Sequence, residues 1–258
     1  MLAMLVARAQ VDGRCCYGEV EEGMFYPLAG DAFAGAARDG DPLPLRDISL
    51  VSPTTPSRIL FVMGGFLPAD GTPLAPDAVP WLLPKVPSVV SGDGAEIIFP
   101  EYVSGTVVAE VELAVVIGKE LSSASVEEAR DGIFGFTIFN DVTAPEFMAA
   151  HDYYRAKSGE TFASMGPWVR TDLSDEAIAA GLRLTCRVNG VVRGVGTTAR
   201  FKFPPSTVVS FASTYTTLHP GDVITLGTPQ ECDVAPGDSV ELEVEGVGVL
   251  HNRVVRPR

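Results

Sequence analysis

The sequence predicts a mainly β protein with a few short helices, in the α+β class. Apolar runs rich in β-branched and aromatic residues recur along it, as in VVAEVELAVVI at 107–117 and IFGFTIF at 133–139, and such runs are typical of strands. Two Pro-Gly-Asp turns, at 220–222 and 236–238, each precede an alternating run that also predicts a strand. Helical signals are confined to three short stretches, near 125–131, 174–181 and 206–214.

In chain order, the beginning of the chain predicts short strands separated by Gly and Asp, with the first strand ahead of a turn at Asp12-Gly13. Two prolines then precede the apolar run at 59–63, which predicts a boundary near residue 55. We therefore expect a small β-rich N-terminal domain over residues 1–55 and a larger domain over residues 56–258.

Two further segments have a recognisable local character. The stretch at 67–84 is too rich in proline for a helix, and its length is typical of a functional loop, so it is a candidate lid. Ser125-Val126-Glu127-Glu128 has the capping-box spacing that begins a helix, and Gly132 ends it. This predicts one short helix between the strands at 107–117 and 133–139.

The composition excludes several classes of function. Among 258 residues, 33 are acidic and 19 basic, and the net charge of −14 would repel a polyphosphate backbone, so we expect no nucleic-acid partner. The apolar runs are far shorter than the roughly 20 residues of a membrane span, and no basic segment precedes residues 1–7 as in a signal peptide. We expect a soluble, cytoplasmic protein with no membrane partner. The cysteine spacing fits neither a disulfide framework nor a zinc site, and it predicts buried free thiols at Cys15, Cys16, Cys186 and Cys232.

Two acidic side chains, Glu110 and Glu112, lie two positions apart on the predicted strand at 107–117, so they project from the same face. The strand continues into LAVVIG, which is apolar enough to be buried on both faces, and an uncompensated carboxylate pair is costly there. At this point two interpretations remain open, a solvated charged face and a metal site.

Asn140-Asp141 follows the strand at 133–139, where a loop must begin and where functional residues are often found. By itself Asp141 is as typical of a turn as of a site. If it joins Glu110 and Glu112, three oxygen ligands without a nearby histidine or cysteine favour Mg²⁺ or Mn²⁺ over Zn²⁺. Such a centre would leave coordination positions open and would be catalytic rather than structural.

Many short motifs follow one another in an order that is similar to that of a known family. They are Pro84-Lys85-Val86-Pro87-Ser88, Phe99-Pro100, Glu110-Val111-Glu112, Phe139-Asn140-Asp141, Arg155-Ala156-Lys157-Ser158, Gly166-Pro167-Trp168, Val188-Asn189-Gly190, Pro220-Gly221-Asp222, Gly227-Thr228-Pro229 and Glu245-Gly246-Val247-Gly248. With this order and spacing, the chain resembles the fumarylacetoacetate hydrolase family of divalent-metal enzymes from about residue 56 to its end, and more weakly before it.

The resemblance implies a mixed β-sandwich or roll like the C-terminal domain of fumarylacetoacetase, preceded by the small N-terminal domain. It implies that Glu110, Glu112 and Asp141 bind Mg²⁺ or Mn²⁺. It also implies that Lys157 lies beside the metal and holds a substrate oxygen or stabilises an enolate, and that Thr228 lines the same pocket. The expected substrate is a small 2-oxo acid or 1,3-dicarbonyl compound, and the expected assembly is a homodimer.

The sequence departs from the family at the base that activates water. Hydrolytic members usually carry a His and Glu dyad on a lid helix, whereas Ala69 and Thr72 stand at these positions here, and Pro68 disfavours the helix. Pro145 stands where many members have an arginine that binds a substrate carboxylate. Gln230-Glu231-Cys232 follows Gly-Thr-Pro in place of the usual glycine, so an altered pocket wall is expected there. The candidate substitutes for the base are Asp70, Glu146 and His151.

These features leave three hypotheses open. The first is a metal-dependent hydrolase or decarboxylase that cleaves a C–C bond of a 2-oxo acid or β-diketone through an enolate, with Lys157, Thr228 and His151 as catalytic residues. The second is non-hydrolytic enolate chemistry on the same fold, in an isomerase, tautomerase, dehydratase or cyclase, which needs no water-activating dyad. The third is a binding protein without turnover, which would have little reason to retain Lys157 beside three acidic ligands.

Overall fold

The computed structural model describes residues 4–70 and 72–257. The first three residues of the predicted N-terminal strand and Gly71 of the candidate lid lie outside the described residues, as does Arg258. No helix in the described part of the chain is long and apolar enough to cross a membrane.

The described residues form the following strands: β1 (Leu5–Val11), β2 (Arg14–Glu21), β3 (Met24–Pro27), β4 (Leu43–Pro44), β5 (Ser49–Val51), β6 (Ile59–Val62), β7 (Leu82–Lys85), β8 (Val90–Ser91), β9 (Glu96–Ile98), β10 (Val107–Ile117), β11 (Ile133–Asp141), β12 (Ala163–Arg170), β13 (Arg183–Val188), β14 (Val191–Thr197), β15 (Val223–Thr225), β16 (Glu231–Val234), β17 (Ser239–Val244) and β18 (Gly248–Val255). The α-helices are α1 (Val126–Gly132), α2 (Pro145–Ala149), α3 (Tyr153–Lys157), α4 (Asp175–Gly181) and α5 (Pro205–Tyr215). Short 3₁₀ helices occupy Ala32–Ala34, Leu45–Asp47, Pro87–Val89 and Thr198–Arg200.

The strands form two mixed sheets. Within residues 4–70 and 72–257, the larger sheet has 13 strands, with the order β4-β3-β2-β1-β12-β11-β10-β15-β6-β7 and with β16, β5 and β8 paired to β10, β1 and β12. The smaller sheet has the order β14-β13-β17-β18-β9. The largest apolar cluster joins residues of both sheets, for example Leu113 on β10 with Leu242 on β17 and Leu250 on β18, so the sheets pack face to face. The predicted mainly β fold with a few short helices is confirmed.

Strand β10 lies at the centre of the larger sheet, and all of its residues are buried. It pairs antiparallel with β11 on one side and with β15 and β16 on the other. Its odd-numbered residues, such as Val111 and Leu113, face the cluster between the sheets, whereas Ala114 and Val116 belong to a second cluster on the opposite face. Glu110 and Glu112 share that second face because side chains alternate along a strand.

The three helices predicted from sequence are confirmed as α1, α4 and α5. In α1, the Ser125 side chain accepts from the Glu128 N–H and the Glu128 side chain accepts from the Ser125 N–H, as the capping-box spacing predicts. The prediction that helices are confined to these stretches is wrong, because α2 and α3 lie between β11 and β12. Each has only five residues, which is too short for an apolar repeat of 3.6 residues to be recognised.

The N-terminal strands continue the larger sheet. Strand β1 pairs with β2 and β5, and its Leu5 and Val6 lie opposite Arg170 and Val169 of β12. The division of the chain into domains at residue 55 stays a prediction. The expectation of buried thiols holds for Cys186 and Cys232, but it is wrong for Cys15, which is exposed, and for Cys16, which is only half-buried.

The candidate lid has no helix in its described residues, and it ends in β7, which the sequence did not predict. Residues 66 and 67, where this segment begins, contact the turn before α5. The Phe66 and Phe201 rings lie edge to face with centroids 5.0 Å apart, and the Arg200 Nη2 donates to the Leu67 carbonyl at 2.9 Å. Closure of this segment over a site stays a prediction.

Candidate metal centre

The three acidic residues singled out in the sequence come together at one end of β10 and β11. Strand pairing sets Val111 opposite Asn140, which brings the end of β11 with Asp141 beside Glu110. One carboxylate oxygen from each of Glu110, Glu112 and Asp141 lies within 4.8 Å of the others. Their side chains are nearly inaccessible, at 6%, 2% and 1% exposure respectively.

Neighbouring polar groups hold the two glutamates in place. The Thr143 hydroxyl donates to Glu110 Oε1 at 2.7 Å, and the Asn140 side-chain oxygen accepts from the Glu110 N–H at 3.2 Å. The Gly227 N–H donates to Glu112 Oε2 at 2.8 Å. In each glutamate, one carboxylate oxygen is therefore held in place by a hydrogen bond, although the surrounding sheet is mostly apolar.

Two buried lysines reach Asp141 from different sides. Lys157, the last residue of α3, donates from Nζ to Asp141 Oδ2 at 2.5 Å and to Thr143 Oγ1 at 2.6 Å, and lies 3.5 Å from Glu110 Oε2. Lys85, on β7, donates from Nζ to Asp141 Oδ1 and to the Val142 carbonyl. The family resemblance predicted the position of Lys157. It did not assign a role to Lys85, although Lys85 stands in one of the motifs that carry the resemblance.

Burial and mutual repulsion act on the carboxylates. Burial raises the pKa of Glu112 to about 8, and the charges of Asp141 and Glu110 add to the rise. Burial likewise raises the pKa of Glu110 to about 7, against the opposing charge of Lys157. Burial also acts to raise the pKa of Asp141, but the Lys157 and Lys85 ammonium groups outweigh it, and that pKa lies below its ordinary value. For Lys157, burial acts to lower the pKa, but the three carboxylates outweigh it and hold the pKa above its ordinary value.

The donor set fits a divalent cation that prefers oxygen. Three buried carboxyl groups converge here beside the two lysines, and burial favours the protonated forms of Glu110 and Glu112. Carboxylate oxygens are the ligands that Mg²⁺ and Mn²⁺ prefer. A cation placed among these oxygens would counter both the burial and the repulsion that raise the pKa values of Glu110 and Glu112.

The cluster opens into a cavity of about 260 Å³. Its lining residues are Phe61, Val62, Met63, Gly64, Gly65, Glu110, Glu112, Asp141, Thr143, Met148, Lys157, Gly227, Thr228 and Glu231. Thr228 is among them, although its hydroxyl donates to the Gln230 carbonyl at 3.1 Å. The predicted ligands, Lys157 and Thr228 therefore lie around one cavity, with an apolar wall on one side.

His151 does not lie among these lining residues. Its side chain is exposed, and its Nδ1 lies 3.2 Å from the Tyr153 hydroxyl. The other two candidate bases are also outside the lining: Glu146 accepts from the Ser104 N–H at 3.0 Å, and Asp70 accepts from the Thr72 N–H at 2.9 Å. The catalytic role of His151 stays a prediction that the geometry does little to support.

Residues 70–255 match the family described as fumarylacetoacetate (FAA) hydrolase C-terminal, which is most of the chain. The chain belongs to the fumarylacetoacetate hydrolase family. Residues 4–53 match a separate family, described as Rv2993c-like, N-terminal. The resemblance seen in the sequence is thereby confirmed.

Named relatives are enzymes that act on small organic acids. The chain is 38% identical over 190 residues to the 4-hydroxyphenylacetate degradation bifunctional isomerase/decarboxylase of Escherichia coli, a match that spans 70% of this chain and only 42% of that protein. The structure of 2-hydroxyhepta-2,4-diene-1,7-dioate isomerase from Mycobacterium marinum is 30% identical, with a TM-score of 0.88 and 98% of each chain covered. Maleylpyruvate hydrolase from Sphingobium sp. SYK-6, solved with manganese(II) and pyruvate, is 25% identical, with a TM-score of 0.80 over 99% of this chain and 100% of that one.

Proposed function

We propose that this chain is a divalent-metal-dependent enzyme that cleaves a C–C bond of a 2-oxo acid or β-diketone, by hydrolysis or decarboxylation, through an enolate. The observation that carries the proposal is the buried cluster of Glu110, Glu112 and Asp141, which shares one cavity with the Lys157 ammonium. A binding protein without turnover would have little reason to retain the Lys157 ammonium beside these three carboxylates. The Sphingobium relative, with manganese(II) and pyruvate, supports the same chemical class.

Glu110, Glu112 and Asp141 would hold Mg²⁺ or Mn²⁺, and the bound ion would supply Lewis-acid stabilisation of developing negative charge. Lys157 donates from Nζ, and its three oxygen neighbours keep it protonated, so it is available to stabilise an enolate oxygen. Phe61 and Met148 form apolar parts of the wall and limit the water that reaches the substrate. The Thr228 hydroxyl lies at the same cavity and would orient a polar end of the substrate.

A second candidate function is non-hydrolytic enolate chemistry, such as isomerisation or tautomerisation. The observation that favours it is the absence of a histidine from the described lining of the cavity, together with Ala69 and Thr72 at the positions of the usual dyad. The relatives from Escherichia coli and Mycobacterium marinum carry isomerase in their names. An isomerase needs proton transfer at carbon but no activated water.

Proton NMR in D₂O tests both functions on a panel of 2-oxo acids and 1,3-diketones, with Mg²⁺ and with or without a chelator. Chelator-sensitive cleavage supports the hydrolase or decarboxylase, and chelator-sensitive deuterium exchange without cleavage supports the isomerase class. Lys157→Met should lower either rate by about 10² to 10³. Lys119→Met, which removes an exposed lysine, is the matched control. A wild-type protein that leaves the whole panel unchanged in the presence of Mg²⁺ would contradict the proposed enzyme.

Pro145 bears on the choice of substrate. It stands where many family members have an arginine, and Lys157 is the only cationic side chain in the described lining of the cavity. A second substrate carboxylate therefore finds no guanidinium to pair with. We expect poor turnover of oxaloacetate and of simple acylpyruvates in the same NMR assay, and robust turnover of these compounds would refute this expectation.

A further inference from the structure

Glu231 lies in the wall of the cavity, where the departure from the usual Gly-Thr-Pro motif predicted an altered pocket wall, although the sequence indicated no catalytic role for it. It is the first residue of β16, which pairs antiparallel with β10 so that Glu231 stands directly opposite Glu110. Side chains of directly opposed residues project from the same face of a sheet, about 4.5–5.5 Å apart at Cβ. The carboxylate of Glu231 is therefore directed to the same side as the candidate metal ligands, and the residue lines the same cavity.

The surroundings of Glu231 differ from those of an ordinary paired surface acid. Within residues 4–70 and 72–257, its carboxylate has no basic group within 4.0 Å and accepts no hydrogen bond from another residue, although it faces a like charge on Glu110. Like charges directly opposite each other destabilise a sheet. Glu231 is also exposed, so its carboxylate is open to solvent and to a molecule in the cavity.

The remaining titratable groups near the centre are poorly suited to accept a proton from a substrate. Lys157 donates to two oxygen atoms and lies near a third, so it is held as an ammonium. Asp70, Glu146 and His151 do not line the cavity. Among the described residues, Glu231 is thus the one acid of the lining that is not a predicted metal ligand.

We infer that Glu231 is the proton-transfer residue of this site, the general base that removes a proton from the carbon next to the keto group and later returns it. The inference rests on the part of the proposed function that both candidates share, an enolate stabilised by Lys157. In cleavage Glu231 would deliver a proton to the carbon of that enolate, and in isomerisation it would first remove one. In the step, the C–H bond breaks, an O–H bond forms on Glu231, and the C–H electron pair becomes the C=C bond while the C=O pair moves to the oxygen of the enolate. Lys157 stabilises that oxygen. Because Glu231 is exposed, the captured proton exchanges with water before it returns.

Deuterium exchange at the α-carbon measures this step directly. The probes are pyruvate, 2-oxobutanoate and pentane-2,4-dione in D₂O with Mg²⁺, followed by proton NMR. Glu231→Gln should slow chelator-sensitive exchange by about 10² or more, since general bases contribute about 10² to 10⁴ to a rate. The Mg²⁺ affinity of this variant, measured by calorimetry, should stay within about threefold of wild type because Glu231 is not a ligand in the proposed centre. Glu231→Asp, which retains a carboxylate, should recover part of the rate.

Asp233→Asn is the matched control, since Asp233 is an acid on the same strand that lines a different cavity. It should exchange all probes at the wild-type rate. Exchange by Glu231→Gln at the wild-type rate would overturn the inference and leave the proposed function intact. Loss of Mg²⁺ binding in Glu231→Gln would also overturn it, because Glu231 would then be a metal ligand. A wild-type protein without Mg²⁺-dependent exchange of any probe would overturn the inference, and it would overturn the proposed function as well only if the cleavage panel were also left unchanged.

Discussion

At the scale of single residues, the site combines charges that depend on one another. Asp141 is 1% exposed and lies between two buried ammonium groups, those of Lys85 and Lys157. Removing one partner of a buried ion pair leaves the other charge without compensation. The carboxylate therefore serves the stability of the apo protein as well as the proposed metal.

Asp141→Ala should abolish Mg²⁺ and Mn²⁺ binding and lower the free energy of unfolding by about 3 kcal/mol or more, because both lysines lose their carboxylate. Calorimetry measures the first effect and urea unfolding the second. Asp77→Ala, at an exposed aspartate, is the control and should change neither quantity. Unchanged metal binding in Asp141→Ala would remove this residue from the proposed centre.

In the metal-free protein, an ionised Glu112 should lower the stability of the fold, whereas an ionised Asp141 raises it. It has no basic partner within 4.0 Å among the described residues, and burial raises its pKa to about 8. A carboxyl with a raised folded-state pKa stabilises the fold at low pH, and this contribution is lost as the pH rises through the folded-state value. With a chelator present, wild-type stability should therefore fall as the pH rises toward about 8.

Glu112→Gln should make that fall shallower, with the remainder due to Glu110, whose pKa burial raises to about 7. It should also weaken Mg²⁺ binding, since the amide keeps an acceptor for the Gly227 N–H but carries no charge. Urea unfolding midpoints from about pH 6 to about pH 9 measure the slope. Glu101→Gln, at an exposed glutamate, should retain the wild-type slope. Equal slopes in wild type and Glu112→Gln would show that Glu112 is not the residue responsible.

At the scale of elements, long and strongly patterned segments were predictable and short ones were not. The bounds of β10 match the apolar run at 107–117, and α1 begins where its capping box predicts. Helices α2 and α3 have too few residues for a period, and they form where the chain turns from β11 to β12. Pairing between distant strands has no local signature, which is why Glu231 opposite Glu110 was not foreseen.

The candidate ligands illustrate the same limit. Residue type and alternation placed Glu110 and Glu112 on one face of a strand, but their convergence with Asp141 depends on the register of β10 and β11. The family resemblance supplied that information from outside the local pattern. The contact of Lys85 with Asp141 joins residues 56 positions apart and follows only from the packing of β7.

The close approach of two loops beside the site gives a prediction at this scale. A Cβ added to Gly65 would lie 2.0 Å from the Leu226 carbonyl oxygen and 3.3 Å from the Gly227 Cα. Gly65→Ala must displace the backbone that orients Glu112 through the Gly227 N–H, so we expect at least tenfold weaker Mg²⁺ binding and about 1–3 kcal/mol lower stability.

Calorimetry and urea unfolding of Gly65→Ala measure the two effects. Gly30→Ala is the matched control, because its added Cβ would meet only Ala36 at 3.8 Å, an ordinary contact distance. Wild-type metal affinity in Gly65→Ala would mean that the backbone at 226–227 does not orient Glu112.

At the scale of the whole molecule, two aromatic side chains are exposed at one apolar cleft. Trp81 is 56% exposed and Tyr215 is 74% exposed, and both line an apolar cleft of about 380 Å³ with Phe211. Exposed apolar patches are typical of association surfaces. We therefore expect the homodimer that the family resemblance implies, with twice the chain mass of 27.3 kDa in light scattering. A chain mass of 27.3 kDa at all concentrations would contradict this expectation.

The central position of β10 has a consequence for how the protein is made. Glu112 leaves the ribosome long before the Gly227 N–H that orients it, which lies 115 residues further along the chain. Contacts between such distant residues form late, because a long loop must close first. A nascent chain that ends before β15 thus holds Glu110 and Glu112 without the backbone that orients Glu112. We therefore expect binding of the proposed metal to follow the synthesis of β15 and of the backbone at 226–227.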